Sequence, residues 1–190
     1  MKRIKESITE QEHKQILTYL NGKQTLSLNT KQNIKTTLIL LYYTGMRINE
    51  LQQLTIKDLK KLIIEKELII ETFKTKKERK LYISNNAVKE LKKLFDYKKE
   101  DDNNLIIRSK GNPNKTINNL TFINTINKFI QEALNSNRYT SHSYRQNLIT
   151  QMSKSINTKF IQQFIGHSDI KTTMRYIKPT NEELRECVVI

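Results

Sequence analysis

At 190 residues the chain is sized for one domain, or one with a small appendage, and its 36% hydrophobic content is enough for a single core. Lys+Arg at 34 against Asp+Glu at 19 leave a formal net charge of +15, which ranks nucleic acid first among partners. A membrane role is not expected, because the longest apolar run, Leu38-Ile39-Leu40-Leu41-Tyr42-Tyr43, is far short of the ~20 residues of a span and no signal core follows Met1-Lys2-Arg3-Ile4.

In chain order, Thr9-Glu10-Gln11-Glu12 has the form of a capping box and opens a helix to about Leu20, ended by Asn21-Gly22. A second helix is expected from about Asn29 to Gly45, a good residue just past a helix end, with an apolar face broad enough for a central core helix. Arg47 to Leu54 reads as a short helix on Ile48, Leu51 and Leu54, with Arg47 and Glu50 three apart on one face. The runs Leu62-Ile63-Ile64, Leu68-Ile69-Ile70 and Leu81-Tyr82-Ile83 read as a small three-stranded antiparallel sheet. A basic hairpin tip, Lys74-Thr75-Lys76-Lys77-Glu78-Arg79-Lys80, lies between the second and third. Helical spacing returns at Val88, Leu91, Leu94 and Phe95, and again from Leu120 to Leu134. Loops are expected at Asp101-Asp102-Asn103-Asn104 and Gly111-Asn112-Pro113. Short helices follow over Ser141 to about Met152, Thr158 to Ile165, Ser168 to about Tyr176, and Asn181 to Cys187. The class is mainly α with a small β-sheet insert at about 60–84.

Candidate chemistry sits in four segments. Arg47 follows a helix end, where a planar guanidinium can grip a phosphate with two bonds; alone, it is better explained by a surface ion pair with Glu50. His142 and Arg145 are one helical turn apart near a helix N-terminus, which favours anions, although H-x-x-R alone recurs by chance. Tyr144 between them reads as a packing residue. His167 follows Gly166 at a turn, where it could simply cap, and Tyr176 is one of eight tyrosines. Lys74, Lys76, Lys77, Arg79 and Lys80 read as a phosphate-contacting run, from which one lysine could enter a groove and protonate a leaving oxygen. The single cysteine, Cys187, excludes an internal disulfide, and His13, His142 and His167 lack carboxylates at ligand spacing, so neither metal nor other cofactor is expected.

Taken together, Thr44-Gly45-Met46-Arg47-Ile48-Asn49-Glu50-Leu51, Lys74 to Arg79, His142-Ser143-Tyr144-Arg145 and Phe164 through Tyr176 resemble the tyrosine recombinase family, the phage integrase and Xer-like enzymes. The likeness runs from about Ser7 to Tyr176 and the tail, with the motifs in the family's order and near its spacing. It implies a catalytic domain over 1–176 and a tail over 177–190 that could be exchanged between subunits. No segment matches the family's N-terminal core-binding domain, so the expectation is a minimal recombinase or an excised catalytic domain.

The resemblance implies roles as well. Tyr176 would be the nucleophile that forms a 3′-phosphotyrosine. Arg47, Arg145, His142 and His167 would stabilise the pentacoordinate phosphorus, and Lys74, the first hairpin lysine, would protonate the 5′ oxygen. Glu50 would orient Arg47 or a histidine from behind. The implied partners are double-stranded DNA and further copies of the chain, as a tetramer on DNA. Two alternatives stay open: a non-catalytic DNA-binding module descended from a recombinase, and DNA relaxation of the type IB topoisomerase kind. All six catalytic positions carry a competent residue, which favours the enzyme.

Overall fold

The computed structural model describes residues 6–72, 78–94, 99–177 and Arg185. Helix α1 (Glu10–Gly22) opens on the expected capping box: Glu12 N donates to Thr9 Oγ1 at 3.3 Å and Thr9 N donates to Glu12 Oε2 at 2.7 Å. Helix α2 (Leu28–Thr44) starts from a Ser27 cap and stops at Gly45, whose φ of +58° only glycine adopts at little cost. Its residues from Ile34 to Leu41 are buried on almost every side, except Lys35, so α2 is the central helix that the broad apolar face predicted. Helices α3 (Ile48–Leu51) and α4 (Ile56–Glu65) follow.

Helix α4 corrects the expected first strand. Leu62-Ile63-Ile64 is its last turn, because Thr55 and Asp58 form a full capping box and Ile56, Leu59, Leu62 and Ile63 repeat at helical spacing on the buried face. A three-residue apolar run is compatible with strand or helix; the phase that decides it starts six residues earlier, at Ile56. The sheet among the described residues is therefore two-stranded: β1 (Glu67–Glu71) pairs antiparallel with β2 (Glu78–Tyr82), with Leu68 opposite Leu81 and Ile70 opposite Arg79. Those four residues face inward, since alternate side chains of a strand share a face. The remaining elements are helices: α5 (Asn85–Lys92), α6 (Asn119–Ala133), α7 (Ser141–Ser153), α8 (Thr158–Ile165) and α9 (Ile170–Met174). Phe95 and the expected 181–187 helix, Arg185 apart, lie outside the described residues.

Two apolar clusters hold these elements. The larger joins α1 to α6 with the start of α7 through Tyr144; the smaller is Ile149, Ile161 and Ile165, with Leu148, Met152, Phe164, Tyr176 and Ile177 packed on it. Helix α7 contributes to both and spans the seam between them. Arg145, on its second turn, is thereby set between the end of α2 and the end of α8.

Candidate phosphate-binding site

Gly45 turns the chain out of α2, and Arg47 becomes the N-cap of α3 with extended backbone. Glu50, three residues on, accepts from Arg47 twice: backbone N to Oε2 at 2.9 Å and a terminal guanidinium nitrogen to Oε1 at 3.0 Å. The Arg47 side chain is 29% exposed and Glu50 only 1%, so the arginine reaches outward from a buried carboxylate. Burial opposes ionisation of Glu50, but the charge of Arg79, the Arg47 backbone N–H, the Arg79 hydrogen bond and Arg145 outweigh it and hold its carboxyl below the usual range.

Arg145 is buried on α7. It donates to Gly45 O at 2.8 Å and to Ile165 O at 2.5 Å, so one guanidinium ties the end of α2 to the end of α8. Burial pulls its pKa down to about 9, helped by Arg47 and Arg79 and countered by Glu50 and Tyr176. His142 lies in the first turn of α7, at the partially positive end of the helix. With Arg47, Met46, Asn49 and Ser141 it lines a cavity of about 160 Å3. Burial first, then Arg145 and Arg47, lower its pKa.

His167 follows α8 through Gly166, which caps the helix at φ +73°. Its Nδ1 is 2.9 Å from Thr173 Oγ1 on α9, and its ring stacks on that of Tyr176 with centroids 6.1 Å apart and planes 21° from parallel. Burial, then Arg145, Arg47 and Arg79, take its pKa to about 3. Both site histidines are therefore neutral near pH 7 in the free protein, each with one N–H to donate. Tyr176 N donates to Thr173 O at 3.0 Å, which places the tyrosine one turn past the threonine that holds the histidine.

The structure thus brings Arg47, Glu50, His142, Arg145, His167 and Tyr176 together from three separate segments. Lys74, Lys76 and Lys77 lie outside the described residues. Lys80 is on the outer face of β2, half-exposed and 3.6 Å from Glu67. Arg79 departs from the expected exposed phosphate contact. Its side chain is 3% exposed, one terminal nitrogen donates to Glu50 Oε2 at 2.9 Å and the other to Phe164 O at 2.7 Å. The reason is strand alternation: Arg79 shares the inward face with Leu81, a two-residue period present in the sequence but masked by the run of charges around it. Thr173 was not expected as a site residue, although it lies inside the Gly166–Tyr176 segment; a hydroxyl six residues from a histidine signals nothing until a turn brings them together.

The chain is similar in sequence and in fold to known proteins. Tyrosine recombinase XerA of Pyrococcus horikoshii is 28% identical over 190 residues, covering 98% of this chain and 61% of the relative. Tyrosine recombinase XerC of Treponema denticola is 29% identical over 163 residues, covering 76% of this chain and 51% of the relative. The chain therefore spans about three fifths or less of these relatives' length. In fold it is similar to the crystal structure of XerA recombinase, with a TM-score of 0.72 at 23% identity over 98% of this chain and 65% of that one. It is also similar to XerH site-specific recombinase bound to its difH substrate, with a TM-score of 0.71 at 20% identity over 100% of this chain and 55% of that one. The sequence model of the phage integrase family matches residues 6–183, a span that takes in every helix and both strands described above, and the chain belongs to that family of tyrosine recombinases.

Proposed function

We propose that the protein is a site-specific DNA recombinase that cleaves and rejoins DNA through a 3′-phosphotyrosine at Tyr176. The observation that carries this reading is the convergence of two arginines, two neutral histidines and one tyrosine on one site, in a chain of net charge +15. A scissile phosphodiester is anionic and repels a nucleophile. Arg47 and Arg145 would offset that charge, while His142 and His167 donate hydrogen bonds to the equatorial oxygens as charge builds there. The Tyr176 oxygen forms a bond to phosphorus, the bond from phosphorus to the 5′ oxygen breaks, and the phenol gives up its proton to water. Lys74 would supply the proton to the leaving oxygen. Attack by a 5′-hydroxyl reverses each step, so the phosphoester bond is conserved and the exchange needs no energy source.

The proposed partner is double-stranded DNA. Exchange between two duplexes requires four strand cuts, and stacking of Tyr176 on His167 of its own chain supports one cut per copy; this favours a tetramer on DNA. Residues 1–176 would form the catalytic domain and 177–190 the tail passed between copies. Among the described residues no helix is long and apolar enough to cross a membrane, which fits a protein that works on intracellular DNA.

The test is covalent trapping on nicked duplexes that carry candidate sites, resolved on denaturing gels. The wild type should form a protein–DNA adduct, and Tyr176→Phe should bind the same duplex and form none. An adduct that survives in Tyr176→Phe would assign the nucleophile elsewhere. Binding without an adduct on every duplex would favour a non-catalytic DNA-binding module.

A further inference from the structure

Glu50 poses an electrostatic problem. It is needed where it is, because it caps the first turn of α3 and aims Arg47. Yet a buried carboxylate paired with Arg47 alone would cancel one of the two guanidinium charges available to a phosphate, and in a poorly solvated site that pairing is strong. We infer that Arg79 is a positioning residue that takes up the charge of Glu50, leaving the Arg47 charge free to meet an incoming phosphate.

The geometry supports this division of labour. Glu50 Oε2 receives Arg79 at 2.9 Å and Oε1 receives Arg47 at 3.0 Å, so each oxygen has its own guanidinium. The two arginines differ in access: Arg79 is enclosed, and Arg47 is open on the cavity it shares with His142. Arg79 is also held at its other end by Phe164 O, next to the Ile165 O that Arg145 holds. Two buried arginines thus share the carbonyls at the negative end of α8, immediately before the Gly166–His167 turn. Gly166 is part of the fit, because a Cβ there would stand 2.8 Å from Arg79 Cδ. Removing the guanidinium would leave Glu50 to Arg47 and loosen the seat of His167 together.

This inference rests on the phosphotyrosine reading, and its test separates the two. Single-turnover adduct formation would be measured for the wild type, Arg79→Met and Arg79→Lys on two nicked duplexes, one with an ordinary scissile phosphate and one with an uncharged methylphosphonate there. A neutral phosphorus centre does not need the cation that Glu50 would otherwise consume. Arg79→Met should be slower on the phosphate by about tenfold to a hundredfold, with a clearly smaller deficit on the methylphosphonate and duplex affinity within about threefold of wild type. Arg79→Lys, which restores the charge without the fork, should fall between. If Arg79→Met does not fold, judged by its melting curve, Arg79→Lys and Arg79→Gln carry the same comparison. Equal deficits on both duplexes would reduce Arg79 to a packing role and overturn the inference. Absence of an adduct with the wild type on either duplex would instead remove the phosphotyrosine reading, and this inference with it.

Discussion

At the scale of single residues, the site is organised by buried side chains. Thr173 is buried, and its hydroxyl occupies His167 Nδ1, so Nε2 is the nitrogen left for chemistry. When the hydroxyl donates, the imidazole proton is placed on Nε2, the tautomer needed to donate to a phosphate oxygen. The same threonine accepts the Tyr176 N–H, so one residue registers both His167 and Tyr176. Thr173→Val keeps the shape and loses that bond. Adduct formation should slow by about tenfold, the worth of one buried hydrogen bond of ~1–1.5 kcal/mol, with duplex affinity unchanged and with Thr173→Ser close to wild type. A Thr173→Val rate equal to wild type would leave His167 oriented by stacking alone.

At the scale of elements, two helix ends meet at Arg145, and both end in a left-handed glycine. The glycines are not equivalent. A Cβ at Gly45 would meet Leu148 Cδ2 at 2.9 Å, the far end of a side chain that can swing away. A Cβ at Gly166 would meet Arg79 Cδ at 2.8 Å, and Arg79 is pinned by Glu50 and by Phe164 O. Both alanine variants carry the left-handed cost of ~1–2 kcal/mol, and Gly166→Ala adds the displacement of a pinned arginine. Gly166→Ala should therefore lower the melting temperature more than Gly45→Ala, by roughly 5–10 °C from wild type. Thermal melts of the two variants side by side check the order; the reverse order would mean that Arg79 yields easily.

At the scale of the whole molecule, the three histidines tie stability to pH in one direction. His13 packs in the main core, stacked on Tyr42 at 4.1 Å with Nδ1 3.2 Å from Tyr144 Oη, and burial takes its pKa to about 4 from 6.5. His142 and His167 are shifted the same way. A folded value below the unfolded one means that the unfolded chain binds more protons between the two. Stability is then full above about pH 6.5 and is lost as pH falls towards 4 and, for His167, towards 3. The melting temperature should drop steadily between pH 7 and pH 4. His13→Phe should be less stable than wild type at pH 7, because the Tyr144 hydroxyl loses its buried partner, and that gap should narrow by pH 4. A gap that stays constant with pH would show that His13 is not the titrating group.

Local chemistry written in consecutive residues was legible in the sequence by itself. Thr9 with Glu12, Gly45 after an apolar run, and Gly166-His167 each depend on neighbours within about four positions, so the helix ends and the order of the motifs could be read directly. The basic balance and the motif set pointed to phosphate chemistry on nucleic acid for the same reason, because charge and residue type need no fold to be counted. Three features required the tertiary structure. Leu62-Ile63-Ile64 is helical because its phase is set by the cap at Thr55 and burial against the core. Arg79 turns inward because the register of β2 against β1 pairs it with Ile70, opposite the end of α8. Thr173 matters because the turn after α8 folds α9 back onto His167. Each of these depends on which face of an element is buried, and that is decided by what packs against it.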